Sequence, residues 1–382
     1  MKTRLLAVSA VAALALAACG EAPDENADAG SASGSAAAAD FLACMVTDQG
    51  GIDDRSFNAS AWAGLQAAEA SDGITAQYVT SKSESDYTPN VNSLVAEDCG
   101  IIVTVGFSLG DATKTAANDN PDERFTIVDE NPTNDGEPIE NVKPLLFNTA
   151  EAAYLAGYLA AGMTETGTVA TFGGAKLPTV AVFMDGFADG VDKYNEDKGA
   201  DVKLLGWDKE KQDGSFAGKF DAPTDGKNLA KNLIQQGADI ILPVAGQTGL
   251  GAAAAAQESG GKVSVIWVDQ DGYESASQYK EVFLTTVEKN IANSVEVATT
   301  ETVNGAFDNT PYIGTLANDG VGLAPYHDFE SEVPDELTAE IEALRAQIVD
   351  GTITVAPATS RRTRYLHPAD RSPCRPARRV LR

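Results

Sequence analysis

From Phe41 onward the chain repeats one pattern: a short unbroken apolar run, a turn, then a stretch with helical spacing. The runs at 41–46, 76–79, 101–105, 125–128, 142–147, 168–171, 202–205, 239–242, 263–268, 282–286 and 312–316 read as strands, with a last one at 352–355. Being apolar on both faces, they are expected in parallel sheets covered on both sides. Helical patterns fall between them at 58–70, 151–161, 180–196, 226–236, 249–259 and 290–303. In the first, Trp62 and Leu65 share a face and Gly73 follows its end. Regular β-α alternation predicts an α/β fold. So many strands exceed one small sheet and favour two lobes. An eight-stranded barrel is the alternative, but the short first lobe does not supply regular units for it.

Doubly wound sheets bind ligands beyond the carboxyl ends of their strands. Function is therefore read from segments 47–58, 106–111, 129–131, 245–251 and 269–273. Gly106-Phe-Ser-Leu-Gly110 matches a nucleophile elbow, but only His327 or His367 could serve Ser108 as base, and tight turning by the glycines is the simpler reading. Gly249-Leu-Gly251-Ala-Ala-Ala254, with Asp269 ending the next strand, is a loose dinucleotide fingerprint. Residues 244–248 separate its glycines from the strand, so the turn is not the tight one. The acids Asp48, Asp53 and Asp54 lack the spacing of a calcium loop, and no metal or other cofactor is expected.

Lys2 and Arg4 precede an apolar run over 5–18, too short to span a bilayer and of signal-peptide dimensions. The run ends in Leu16-Ala17-Ala18-Cys19, which resembles a bacterial lipobox. Residues 1–19 are expected to be a lipoprotein signal peptide with Cys19 lipidated, an ordinary signal peptide being the alternative. Residues 20–40 are Ala-, Gly- and Ser-rich without a large apolar side chain, as in a flexible tether. A lipid, a leash and a globular body imply a chain held at the extracytoplasmic face of the cell membrane. Thiols oxidise there. If the first and third strands are parallel neighbours, Cys44 and Cys99 can form a disulfide; two buried thiols are the alternative.

The 28 basic against 56 acidic residues give a net charge of −28, which opposes binding to nucleic acid. The sign reverses at the end, where 361–382 hold eight Arg and one Asp. Residues 358–382 are expected to be a disordered basic tail: a shifted reading frame, an unrelated appendage, or an arm for an anionic surface. Cys374 within it carries no structural expectation.

At Asp48-Gln-Gly-Gly-Ile-Asp-Asp-Arg-Ser-Phe-Asn58 the sequence resembles the basic membrane protein family, the PnrA-like group of lipoprotein substrate-binding proteins. The likeness continues in order through Val105-Gly-Phe-Ser-Leu-Gly-Asp-Ala112, Pro121-Asp-Glu-Arg-Phe-Thr-Ile-Val-Asp129, Glu151-Ala-Ala-Tyr-Leu-Ala-Gly157, Gly214-Ser-Phe216, Ala245-Gly-Gln-Thr-Gly249 and Val268-Asp269. It covers roughly residues 41–335. It implies a type I periplasmic-binding fold, two Rossmann-like lobes joined by three crossovers. Lobe one is expected at 41–146 plus 273–307, lobe two at 147–272 plus 308–357. The resemblance also implies a monomer that binds without chemistry and has an ABC permease with its ATPase as partner. The ligand it implies is a nucleoside, a purine one in characterised relatives.

Carried over residue by residue, Phe57 would stack on one face of the base and Phe216 on the other, with Trp207 as competitor. Asp129 would accept from the base edge, aided by Asp48 and Asn58, with Asp111 a weaker option. Asp269 would accept from the ribose hydroxyls, since a carboxylate offers two acceptors to a diol. Lys289 would donate to the ribose, and Gly246 would allow close backbone approach. On the residues alone, Phe57 is also readable as a core side chain opening a helix behind the N-cap Ser56, and each acid as a cap or a solvated charge. The set offers no anion pocket, so nucleosides rather than nucleotides are expected. The alternatives are a sugar or other small polar ligand, a hydrolase using Ser108, and a surface adhesin or sensor.

Overall fold

The computed structural model describes residues 40–355. The expected signal peptide, Cys19, nearly all of the tether, and the basic tail with His367 and Cys374 lie outside the described residues. The main elements are β1 (Leu42–Val46), α1 (Phe57–Asp72), β2 (Thr75–Val79), α2 (Tyr87–Ala96), β3 (Ile101–Val105), α3 (Gly110–Asp119), β4 (Phe125–Val128), β5 (Val142–Phe147), α4 (Thr149–Met163), β6 (Thr168–Gly173), α5 (Pro178–Lys198), β7 (Lys203–Leu205), α6 (Pro223–Gln235), β8 (Ile240–Val244), α7 (Leu250–Glu258), β9 (Ser264–Asp269), β10 (Phe283–Lys289), α8 (Ile291–Val303), β11 (Tyr312–Gly314), β12 (Val321–Leu323) and α9 (Asp335–Val349).

Two six-stranded sheets result, ordered β11-β5-β4-β3-β1-β2 and β12-β10-β9-β8-β6-β7. All neighbours are parallel except β10 and β12, which are antiparallel. Successive side chains of β1 enter different cores: Ala43 and Met45 pack with α1 and α8, Cys44 and Val46 with α2 and α3. That two-sided burial explains the unbroken apolar runs. In the second body α4 and α5 pack at backbone distance. A Cβ on Gly190 would lie 2.0 Å from the Tyr154 carbonyl oxygen, and one on Gly157 2.1 Å from that of Phe187.

The chain crosses between sheets after Phe147, after Lys289 and after Gly314. This corrects the expected lobe ranges. Strand β10, expected in lobe one, pairs with β9 in the second sheet, and β11, expected in lobe two, pairs with β5 in the first. The crossings are tied together: the Asn148 N–H donates to the Gly314 carbonyl at 2.7 Å, and the Asn290 N–H to that of Gly320 at 2.9 Å. Residues 352–355, expected as a last strand, join no sheet; the Ile353 N–H donates back to Gln347 at the end of α9. Cys44 and Cys99 are joined by a disulfide, with their Cα atoms 6.0 Å apart. Strand β1 lies directly beside β3, which brings the two cysteines within reach.

Candidate functional site

The carboxyl ends of both sheets face one cleft, lined among others by Asp48, Phe57, Asn58, Asp129, Gly246, Asp269 and Lys289. Seven of the eight expected binding residues are thus brought together. Asp129 and Asp269 hold matching places, each following a Val at the carboxyl end of the third strand in its sheet's order. Both adopt a left-handed backbone, φ 65° and 70°, a conformation Asp tolerates better than most side chains. Gly246, φ 51°, turns the chain after β8 and sits against Asp54 of the other body.

The segment between β1 and α1 is organised by Asp54. Its carboxylate accepts from the backbone N–H of Ser56, Asn58 and Ala59 at 3.1, 2.7 and 3.0 Å, and from the Asn58 side-chain amide. It therefore caps the start of α1. Ser56, the expected N-cap, makes no capping bond. Asn58 also donates to Asp48 at 2.8 Å, so both its amide hydrogens are engaged within the loop. Its place in the cleft is structural rather than that of a free donor to a base. Asp48 accepts as well from Gly50 N–H at 2.9 Å.

Lys289 is 2% exposed and forms an ion pair with Asp129 across the cleft. Its ammonium lies 4.8 Å from the Phe57 ring centre and 5.7 Å from that of Phe183. Burial pushes Asp269 up to about 7, opposed by Lys289 and assisted by the charges of Asp129 and Asp54. Burial likewise raises Asp48 to about 6, against the lowering bonds from Asn58 and Gly50. Asp54 is also raised by burial, in spite of its three N–H donors. Among the cleft-lining residues named here, one lysine thus stands with four carboxylates, those of Asp54 and Asp269 buried and those of Asp48 and Asp129 half-buried.

Phe216 does not line the cleft. Its ring packs edge-on against Trp207, 6.0 Å between centres, and lies where a Cβ on Gly173 would be. Trp207, the competitor, is buried and donates its indole N–H to Asp185 at 3.0 Å. The second body instead offers Phe220, seated over Gly174, and Phe183 from α5. Neither was expected from sequence, although Phe220 is four residues beyond Phe216 in the same loop. Asp111 is exposed in the first turn of α3, outside the lining.

Ser108 lines the cleft, but His327 is engaged elsewhere, bonded to Asp271 at 2.6 Å and stacked on Tyr273. The glycines of the dinucleotide-like motif serve packing: Gly249 leaves room for Trp267, and Gly251 lets α7 approach α6.

Two α/β sheets joined by three crossings, with a cleft between their carboxyl ends, are the architecture of the periplasmic-binding type. Solved structures agree on the fold. An ABC transporter solute-binding protein from Aeropyrum pernix aligns with TM-score 0.75 at 23% identity, covering 83% of this chain and 93% of that one. One from Conexibacter woesei aligns with TM-score 0.63 at 21% identity, covering 83% and 99%. The chain belongs to the family described as ABC transporter substrate-binding protein PnrA-like, whose model matches residues 41–359. Members bind a solute for an importer and do not transform it. Among its relatives, the "ABC transporter nucleoside-binding protein BmpA" of Lactococcus lactis is 33% identical, over 93% of this chain and 99% of its own length. The "CD4+ T-cell-stimulating antigen" of Listeria innocua is also 33% identical, over 93% and 98%. "Basic membrane protein A1" of Borrelia garinii is 28% identical, over 80% and 86%.

Proposed function

We propose that this substrate-binding protein captures a nucleoside, a purine nucleoside in particular, and presents it to an ABC permease from a lipid anchor at Cys19. The observation that carries the ligand class is the pairing of flat apolar rings with surplus acceptors. Phe57 comes from one body and Phe183 and Phe220 from the other, around Asp48, Asp129 and Asp269. A base offers two π-faces, and ring stacking on a base contributes about 1–3 kcal/mol. Its ribose offers hydroxyl donors to a carboxylate. Phosphate would meet acidic walls, and Lys289 already pairs with Asp129. The nucleoside-binding relative in Lactococcus lactis supports the same reading.

The test is a thermal-shift panel of adenosine, guanosine, inosine, cytidine, uridine, their monophosphates, ribose and galactose on refolded protein. A ligand at 100 times its Kd adds about 2.7 kcal/mol of stability. Purine nucleosides should shift the transition and their monophosphates should not. A response to sugars alone would refute the ligand class, and a tighter monophosphate would refute the charge argument. Radiolabelled palmitate incorporation lost in Cys19→Ala tests the anchor.

A further inference from the structure

Between Asp54 and Ser56, Arg55 is held at φ 59°, in the left-handed region, while its side chain is exposed. With Asp54 fastened to the start of α1 on one side, this turn directs the Arg55 carbonyl out of the helix and towards the other body. There it accepts two bonds: from the Trp267 indole N–H at 3.1 Å and from the Ser275 hydroxyl at 3.0 Å. Both donors are held firmly. Trp267 is wholly buried, and a Cβ on Gly272 would lie 2.8 Å from it, one on Gly249 3.0 Å. Ser275 ends a short helix, Gly272–Ser275, whose first turn is capped by the Asp271 carboxylate at Tyr273 N–H. Asp271 is in turn bonded to His327.

We infer that this pair of bonds to one main-chain carbonyl is a closure latch, and that Ser275 is a positioning residue for the ligand although it does not line the cleft. The latch joins residues next to the binding groups: Arg55 is two residues before Phe57, and Trp267 two before Asp269. It therefore sets the gap between the stacking ring and the diol-accepting carboxylate when the two bodies meet. It is separate from the crossings at Asn148, Asn290 and Gly314, about which the bodies would hinge. When the bodies part, all three groups return to water, so the bonds stabilise the closed form alone. A ligand enclosed by that form leaves only after they break.

The ligand arm of this inference rests on the nucleoside reading; the closure arm does not. The experiment compares the wild-type chain with Ser275→Ala and Ser275→Thr. Guanosine and inosine association and dissociation are followed by stopped-flow fluorescence, and hydrogen exchange of the Trp267 indole N–H by NMR. Loss of one net hydrogen bond shifts the opening equilibrium about fivefold. Ser275→Ala should dissociate about fivefold faster with association unchanged, and Ser275→Thr should restore the wild-type rate. The Trp267 indole should exchange about fivefold faster in Ser275→Ala, with or without nucleoside. Equal dissociation and equal exchange in Ser275→Ala and wild type would overturn the latch. So would a Ser275→Thr variant as fast as Ser275→Ala, since the effect would then be packing. If no nucleoside binds, the binding reading fails by itself, and unchanged indole exchange in Ser275→Ala still refutes the latch.

Discussion

Protonation of Asp269 should control nucleoside affinity. Burial holds this carboxyl at about 7, so in the ligand-free cleft it is half protonated near neutrality. On the proposed role of Asp269, ribose hydroxyls would donate to the ionised form, so ligand binding would require the proton to leave, and affinity should rise with pH. For a group at about 7, the ionised fraction is about nine tenths at pH 8 and about one thirtieth at pH 5.5, which predicts roughly thirtyfold weaker binding at the lower pH. Asp48, at about 6, steepens the loss below pH 6. Isothermal titration in buffers of different ionisation enthalpy should find about half a proton released per nucleoside at pH 7. Asp269→Asn keeps the shape and tolerates the left-handed backbone, but removes the charge. It should weaken binding about ten- to a hundredfold at pH 8 and much less at pH 5.5, flattening the profile.

The same shift has a stability sign that can be measured without ligand. The folded carboxyl holds its proton more tightly than the unfolded one, whose ordinary value is 3.8. Stability is therefore lost as pH rises from about 4 through 7, by about 4 kcal/mol if the whole shift is realised. Asp269→Asn should remove that loss and melt above the wild type at pH 8 while binding worse. Binding that is flat from pH 5.5 to 8, or an unchanged pH slope in Asp269→Asn, would refute the assignment of Asp269 to the ligand.

Other substitutions separate the roles of neighbouring groups. Phe220→Ala should lower nucleoside affinity by about 1–3 kcal/mol, whereas Phe216→Ala should lower the melting temperature and leave affinity within about twofold; the opposite pattern in calorimetry would restore Phe216 to the site. Asp54→Ala leaves three N–H groups at the start of α1 without their acceptor, and denaturant unfolding should show a loss of about 2–4 kcal/mol. Reducing Cys44–Cys99, or replacing both with Ala, should cost about 4 kcal/mol on the chain-entropy account for their sequence separation of 55; an unchanged denaturation midpoint would mean the bridge does not constrain the unfolded chain.

The α/β class and nearly every strand were legible because two-sided burial leaves an unbroken apolar run whatever the partner. The two cleft aspartates were legible for a related reason: Val128-Asp129 and Val268-Asp269 each put an acid where a parallel strand ends, and Asp accepts the left-handed turn found there. What failed depended on contacts distant in sequence. The helical pattern of α8 is the same whether it covers the sheet it leaves or the one it joins; its packing against α1 decides, and with it the lobe boundary. Ser56 and Asp54 are equally good caps by residue type, and the turn at Arg55 gives the start of α1 to Asp54. Phe216 and Phe220 are two rings in one loop, seated on the adjacent glycines Gly173 and Gly174 at the end of β6. Gly173 closes β6 and Gly174 lies in the bend just past it, and one ring goes to Trp207 and the other to the cleft. A one-residue choice of seat separates core from cleft lining, and only the folded end of β6 makes it. Gly174→Ala should therefore act as a binding mutation through Phe220. Gly173→Ala, which displaces Phe216, should act as a stability mutation, although neither glycine has a side chain to offer a ligand.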